Sequence, residues 1–257
     1  GYKPFYISHY SRHSSRYLLG DGDFELTINL LEKAQKRGCL TDFGKDVLKR
    51  LRITFEETEG RGGDLTPLGA RQHKGIAERM AKNFPDVFKG EKRAEARSTV
   101  VYRCAMSMAA FCDGLKGKFP NLNIKYEMNQ KNMSYLNYHT DKSNKFTHGE
   151  TGPWVEEYRK FEAEHVNPGR MVSSLFSDKD FIRCEVNPEK LMWAFYWIAV
   201  DMQDIETKLS FYDVFTAQEL FDLWQCVNYR FYIGNANPAM SDELVMANAS
   251  TLVENII

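Results

Sequence analysis

Arg12-His13-Ser14-Ser15-Arg16 places one imidazole between two guanidinium groups. The stretch follows an apolar run, Phe5–Ile7, so we predict a strand over residues 5–12. A strand that ends in such a cluster presents it at the carboxyl edge of a sheet, where open α/β folds bind ligands. Two arginine forks hold phosphate oxygens in a fixed geometry, and a histidine beside them can attack phosphorus. The stretch therefore indicates phosphate chemistry through a phosphohistidine.

The composition of the 257-residue chain excludes several classes of protein. Its formal net charge is -1, so no overall basic field attracts nucleic acid. The longest apolar run, around Met192–Val200, has about half the length that spans a bilayer. No signal peptide is visible, since Gly1–Pro4 leads straight into the predicted strand. The five cysteines lack CxxC spacing, which favours buried free thiols over a zinc site or a disulfide framework.

The hydrophobic pattern of the first half predicts the element order β, α, α, α, β, α, β, which is typical of an α/β layer fold. The predicted elements are a strand at 5–12, helices at Leu26–Arg37 and Phe43–Phe55, a helix that begins at Pro67 after an N-cap at Thr66, a strand at Arg93–Ser98, a helix from Ser98 or Thr99 to Leu115, and a strand at Asn123–Met128.

After Met128 the composition changes to a helical block. The polar segment Lys131–Gly152 shows no clear period. The helices predicted beyond it are Trp154–His165, Pro188–Asp204, Thr216–Arg230 and a last helix over Ser241–Ile257.

Two further motifs accompany the first cluster. In the stretch 97–103 a strand meets a helix, whose N-terminus is favourable for an anion, and Arg103 can supply a third guanidinium. The alternative is that Arg97 and Arg103 pair with surface carboxylates. The segment Gly63–Gln72 predicts a tight turn, a capped helix and a glycine that permits close packing.

Taken in this order, the three motifs resemble those of the histidine acid phosphatase branch of the histidine phosphatase superfamily. Within that branch the chain is most similar to the multiple inositol polyphosphate phosphatases and phytases. The first stretch matches the family's Arg-His-Gly-x-Arg except at Ser14. Residues 65–72 match Leu-Thr-x-x-Gly-x-x-Gln, and residues 97–103 match Arg-Ser-Thr-x-x-x-Arg.

The resemblance implies a phosphoglycerate-mutase-like layered α/β core with an inserted helical cap domain. The C-terminal strands of that core would then be missing from this chain. The division that follows is a core over residues 1–128, a mainly helical cap over 129–235, and a helix over 236–257 that returns to the core.

By this resemblance His13 is the nucleophile that becomes phosphorylated, while Arg12, Arg16 and Arg103 bind the phosphate oxygens. No metal or other cofactor is implied, because the arginines neutralise the phosphate. Ser14 replaces a glycine of the family pattern, and we expect its small side chain to be tolerated there.

The helical block carries further candidates for substrate binding. Lys142, Lys145 and His148 would contact other phosphates of a polyphosphorylated ring, or they belong to a solvated polar loop. The expected partners are small-molecule phosphate esters, with no nucleic acid and no membrane. Because members of the family are commonly exported, the resemblance implies a secreted or periplasmic protein.

One part of the family pattern has no counterpart. The family uses a later histidine followed by an acid that protonates the leaving alkoxide, whereas the last histidine here is His165. We therefore expect the chain to be a fragment whose acid donor lies outside it. The expected activity is phosphomonoester hydrolysis of inositol polyphosphates. The alternatives are a non-catalytic or impaired phosphate-ester-binding protein and a phosphomutase.

Overall fold

The computed structural model describes residues 3–137, 139–148, 152, 154–236 and 238–257. This part of the chain contains many helices and one two-stranded parallel sheet, which confirms an α/β fold. In chain order the elements are α1 (Gly22–Lys36), α2 (Asp42–Thr58), α3 (Pro67–Asn83), α4 (Pro85–Phe88), β1 (Arg93–Ser98), α5 (Tyr102–Lys118), β2 (Asn123–Met128), α6 (Met133–Leu136), α7 (Asp141–His148), α8 (Val155–His165), α9 (Gly169–Leu175), α10 (Lys179–Glu185), α11 (Pro188–Asp201), α12 (Ala217–Asn235) and α13 (Ser250–Ile256). Short 3-10 turns lie at Tyr212–Val214, Ala239–Ser241 and Met246–Ala249.

The predicted start of α3 is confirmed. The Thr66 side-chain oxygen accepts a hydrogen bond from the backbone N–H of Gly69 at 3.1 Å, and Pro67 follows at the first helical position. Such a cap satisfies one of the amides that a helix N-terminus leaves free, and it contributes about 1 kcal/mol. The beginning of α3 is therefore well fixed, which matters because this end of the helix faces Ser15.

The largest apolar core lies between α1, α2, α9 and α11. Leu31 from α1 and Phe195 from α11 are both fully buried there. Each such side chain stabilises the fold by about 2 kcal/mol relative to its exposed state. One core therefore draws on both the first part of the chain and the helical block, and the predicted division into core, cap and returning helix stays a prediction.

The sheet confirms two of the predicted strands. β1 and β2 run parallel in a register that starts with Arg93 opposite Asn123 and ends with Ser98 opposite Met128. The connecting helix α5 begins at Tyr102, a few residues later than predicted. A parallel pair needs a crossover of this kind, because a tight turn cannot join two parallel strands.

Helices α3 and α5 pack closely beside this sheet. A Cβ atom at Gly114 of α5 would lie only 2.9 Å from both the Lys74 carbonyl oxygen and the Ala77 Cβ of α3. Only a glycine fits at this crossing. The contact sets how closely α5 packs against α3.

The predicted strand over residues 5–12 is wrong. These residues have no strand conformation, and no hydrogen bond between backbone groups joins them to the rest of the described chain. Phe5 is 92% exposed, while the ring of His9 stacks on Phe111 with 5.0 Å between ring centres. The apolar residues supply β propensity, but a strand also needs a hydrogen-bonding neighbour, and β1 and β2 pair only with each other.

The helical block contains the three long helices that the sequence predicts, as α8, α11 and α12. Thr216 and Glu219 form a reciprocal capping box at the start of α12. The short helices α6, α7, α9 and α10 were not predicted. Two of them, α6 and α7, lie inside the polar segment Lys131–Gly152, where short length and many polar residues hide the helical period.

The predicted single helix over Ser241–Ile257 is also wrong. Only the turn of α13 is α-helical, and it follows two 3-10 turns. Asp242 and Glu243 have φ values of 47° and 61°, in the left-handed region that a right-handed helix cannot include.

The cysteines are free thiols, as predicted. Cys39, Cys112 and Cys226 are buried, Cys104 is partly buried and Cys184 is exposed, so the expectation of burial holds for three of the five. Among the described residues no helix is both long and apolar enough to cross a membrane.

Candidate active site

The loop formed by residues 12–16 is held by the N-terminus of α3. The carbonyl oxygen of Ser15 accepts hydrogen bonds from the backbone N–H of Thr66 at 3.0 Å and from its hydroxyl at 3.2 Å. Arg16 and Leu65 form an isolated antiparallel bridge beside these bonds. The loop is thus positioned by α3 rather than by a strand that precedes it.

Two more residues of the motif at 65–72 serve the same contact. A Cβ atom at Gly69 would overlap the Ser15 carbonyl oxygen, so only glycine lets the helix approach the loop. One turn further, Gln72 Oε1 accepts the backbone N–H of Ser15 at 3.1 Å. Spacing of three or four residues places these side chains on one helix face. The conformation of Ser15 is therefore fixed through its whole peptide backbone.

His13 is half-buried in this loop, and its ring orientation is defined. Nδ1 lies 2.8 Å from the Ser14 carbonyl oxygen. A carbonyl only accepts hydrogen bonds, so Nδ1 carries the proton and the Nε2 lone pair of the neutral ring remains free. Burial lowers the pKa of His13 below its ordinary value, and the bond to Ser14 opposes this effect. The positive charges of Arg12, Arg103 and Arg16 lower it further, which favours the neutral ring.

The three predicted arginines lie around His13, close enough that the positive charge of each acts on its ring. Arg16 donates from Nη1 to its neighbouring Tyr17 carbonyl at 2.7 Å, and burial lowers its pKa. Within the described chain none of Arg12, Arg16 and Arg103 has a carboxylate within ion-pair distance. Grouped guanidinium groups without carboxylate partners form a site for an anion.

Arg103 lies in the first turn of α5 and reaches the loop past Gly63. Gly63 has a φ of 77°, which favours glycine, and a Cβ there would lie 3.4 Å from Nη1 of Arg103. The Nε atom of Arg103 is buried without a hydrogen-bond partner. Tyr102 donates its hydroxyl to Asp64, which ties the start of α5 to the turn before α3.

Arg97 does not join this cluster. Its guanidinium pairs with Glu95 at 2.7 Å and with Glu127 at 3.5 Å on the surface of the sheet. Of the two alternatives for the stretch 97–103, pairing with surface carboxylates holds for Arg97. Arg103 has no such partner in the described chain and joins the anion site.

The φ of Ser14 is not positive, so a serine fits where the family pattern has glycine.

Two carboxylates near the loop were missed by sequence reasoning. The Ser15 hydroxyl donates to Asp204 Oδ1 at 2.8 Å. Asp201, at the end of α11, is only 6% exposed and interacts with the charge of Arg16. Burial and then the charge of Asp204 raise the pKa of Asp201 to about 7, although Arg16 opposes the shift. The sequence signal that could have indicated them was a pair of aspartates at the end of a long apolar helix.

The other candidates lie elsewhere. Lys142, Lys145 and His148 are exposed on α7, which packs against α12, and no hydrogen bond or ion pair joins them to the loop. His73 of α3, by contrast, lies beside the loop: it is 3% exposed, and its ring interacts with the backbone of Arg12 and with His9. No group of three or more metal-ligating side chains occurs in the described ranges.

Neither a protein-family model nor a curated protein sequence matches the chain. Solved structures do match it. The multiple inositol polyphosphate phosphatase of Bifidobacterium longum in complex with inositol hexasulfate superposes with a TM-score of 0.70 at 17% identity, over 95% of this chain and 67% of that one. Its complex with phosphate gives a TM-score of 0.66 at 17% identity, over 95% and 66%.

The phytase of D. castellii matches with a TM-score of 0.63 at 13% identity, over 95% of this chain and 55% of that one. The chain thus spans about two thirds of the length of the first two structures and just over half of the third. At such low identity the likeness establishes the fold. This chain shares the fold of these histidine acid phosphatase structures, as its sequence motifs suggested.

Proposed function

We propose that this chain provides the phosphate-binding loop and the nucleophile of a phosphomonoester hydrolase that acts through a phosphohistidine on inositol polyphosphates. The observation that carries the proposal is a neutral His13 beside Arg12, Arg16 and Arg103, none of which has an ion-pair partner in the described chain. A dianionic phosphate ester relieves the repulsion among three guanidinium groups and receives paired hydrogen bonds from them.

The neutral ring supplies the chemistry. With Nδ1 bonded to the Ser14 carbonyl, the lone pair of Nε2 attacks phosphorus, and an N–P bond forms as the P–O ester bond breaks. The arginines stabilise the charge on the transferring group. The Ser14 carbonyl meanwhile stabilises the positive charge that develops on the ring of His13. The leaving alkoxide takes a proton from a general acid or from water and departs as the alcohol. Water then attacks the phosphohistidine, the N–P bond breaks with its electron pair returning to Nε2, and phosphate is released.

The substrate class rests on the fold likeness and on charge. One matching structure is a complex with inositol hexasulfate and another is a complex with phosphate. Lys142, Lys145 and His148 are exposed and would contact additional phosphates of such a ring. These three stay proposals, as do the division into core and cap and the secreted or periplasmic location.

A second candidate function is binding of phosphate esters without turnover. It is favoured by the charges around His13, because the groups that act on its ring are arginines and none is a carboxylic acid. An alkoxide leaves slowly without a proton donor. The third candidate, phosphomutase activity, would return the phosphate to another hydroxyl of the same molecule.

The test compares His13→Ala with His165→Ala, whose histidine lies on α8 and has no part in the loop. Phosphate release from phytate and the dissociation constant of inorganic phosphate are measured for both variants and the unaltered chain. We expect His13→Ala to lower release by about a thousandfold or more while phosphate still binds, and His165→Ala to change neither.

Release that survives in His13→Ala would exclude His13 as the nucleophile. Phosphate binding without release by the unaltered chain would favour the second candidate. Isomerised esters without free phosphate would favour the phosphomutase.

A further inference from the structure

The segment Asp201–Thr207, which we call the bracket, begins at the last residue of α11 and is bonded to α2, to α3 and to the loop. From α2, the Glu57 carboxylate accepts the backbone N–H of Glu206 at 2.9 Å and that of Thr207 at 2.7 Å. From α3, Arg71 donates to Glu206 at 2.7 Å. The bracket is therefore fixed against the same helix that holds the phosphate loop.

The bracket contacts the loop through Asp204. The backbone N–H of Ser15 donates to Gln72 of α3, and its carbonyl oxygen accepts from Thr66, the N-cap of the same helix. The Ser15 hydroxyl is the remaining polar group, and it donates to Asp204 Oδ1 at 2.8 Å. A charged acceptor makes this bond stronger than one between neutral groups. Ser15 is thus held from two sides, by α3 and by the bracket.

Asp201 acts on the neighbouring residues of the loop. Its buried carboxylate interacts with the backbone N–H of Leu18 and with the charge of Arg16. No nitrogen of Arg16 lies within ion-pair distance of it, so the attraction acts through space. Asp204 also interacts with Arg16, which therefore lies in the field of two carboxylates and of the cations Arg12 and Arg103.

The other charged groups near α11 and the bracket have partners of their own. Glu57 of α2 and Arg71 of α3 are bonded to the bracket itself. Asp23 of α1 interacts with Lys190, at the opposite end of α11 from Asp201. The charges that act on Asp201 are consequently those of Asp204 and Arg16.

We propose that Asp201 and Asp204 are positioning residues of the phosphate site: Asp204 fixes the loop through Ser15, and the negative charge of Asp201 competes with a bound anion for Arg16. Proton uptake by Asp201 then strengthens anion binding. This inference rests on the proposed function, because it takes the loop as the site of the phosphate.

The direction of the pH dependence follows from the burial of Asp201. Burial opposes the ionisation of Asp201, and the negative charge of Asp204 opposes it further. The pKa of Asp201 is raised to about 7, so its carboxyl group is neutral below that pH and negatively charged above it. Anion affinity should fall as the pH rises through about 7. The pKa of His13 is lowered instead, so protonation of its ring adds affinity only at more acidic pH.

The experiment measures sulfate binding, because sulfate keeps its charge across the whole range. Calorimetric titrations run from about pH 6 to about pH 8.5 for the unaltered chain, Asp201→Asn and Asp42→Asn. Asp42 is an exposed surface aspartate paired with Lys45 and serves as the matched control. We expect the affinity of the unaltered chain and of Asp42→Asn to fall about tenfold with rising pH. Asp201→Asn should keep the high affinity throughout.

A double-mutant cycle tests the contact between Ser15 and Asp204. Ser15→Ala and Asp204→Ala should each weaken sulfate binding about fivefold, and the double variant should be no worse than either single one. Asp204→Asn keeps an acceptor for the Ser15 hydroxyl and should restore most of the affinity that Asp204→Ala loses.

An unchanged pH dependence in Asp201→Asn, or additive effects of the Ser15 and Asp204 substitutions, would overturn this inference alone. A merely structural role would lower thermal stability without changing the pH dependence of binding, and that result also refutes it. If the unaltered chain binds no sulfate at any pH, the proposed phosphate site fails as well.

Discussion

Replacement of Gly69 by alanine tests how the loop is positioned. Gly69 lies in the first turn of α3, where a Cβ atom would overlap the Ser15 carbonyl oxygen and lie 2.8 Å from a Leu65 methyl carbon. The overlapping partner is backbone, so it cannot rotate away as a flexible side chain would. The start of α3 and the loop must therefore separate.

The size of the effect follows from the contacts that this separation removes. The Ser15 carbonyl loses its bonds from the N–H and the hydroxyl of Thr66, at about 1 kcal/mol each. Accommodation of the extra methyl group costs about 1–3 kcal/mol more. Alanine returns at most about 1 kcal/mol of helix propensity. We expect Gly69→Ala to lower the free energy of unfolding by about 2–4 kcal/mol.

Gly75 of the same helix provides the control. The nearest atom to a Cβ at Gly75 is Nη1 of Arg79 at 3.2 Å, the end of a flexible side chain. Gly75→Ala should therefore leave stability unchanged or raise it by up to about 1 kcal/mol. Urea unfolding measures both variants, and sulfate titration should show weaker binding for Gly69→Ala alone. Equal stability and equal sulfate affinity for the two variants would refute the role assigned to α3.

Three further predictions concern the same site. Arg103→Lys should weaken phosphate binding about tenfold or more, because an ammonium group cannot replace the planar fork, and titration calorimetry measures the loss. Gln72→Ala should lower the free energy of unfolding by about 1–2 kcal/mol, because the Ser15 N–H loses its acceptor; an unchanged urea midpoint would contradict it. The raised pKa of Asp201 means that the folded state binds this proton more tightly than the unfolded state does, so its contribution to stability falls as the pH rises from about 4 to about 7. Asp201→Asn should therefore change the melting temperature more favourably at about pH 8 than at about pH 4. An equal change in melting temperature at the two pH values would contradict this prediction.

The sequence predicted local elements well where a strong signal marks their start. The N-cap Thr66 followed by Pro67 placed α3, and β1 and β2 were predicted at their observed residues. These features depend on a few adjacent residues, whose capping and strand propensities act over short range. By contrast, the strand predicted at residues 5–12 depends on a pairing partner, which local propensity does not specify.

The candidate site was predicted only in part, because some of its contacts join residues that are far apart in the sequence. Motif spacing identified His13 and the arginines around it, and the structure brings these side chains together. The roles of Gly69 and Gln72 became clear only with the backbone of Ser15 beside them. Asp204 lies 189 residues from Ser15 in the chain, so no local pattern could have joined the two.

The nucleophilic role of His13 has a direct test. The chain is mixed with phytate, quenched at alkaline pH to preserve phosphohistidine, digested and mapped by mass spectrometry, with His13→Ala and His165→Ala treated in parallel. We expect a phosphoryl group on His13 in the unaltered chain and in His165→Ala, and none in His13→Ala. Release of phosphate with His13 unmodified, or a phosphoryl group on another residue, would contradict the proposal that this loop carries the nucleophile.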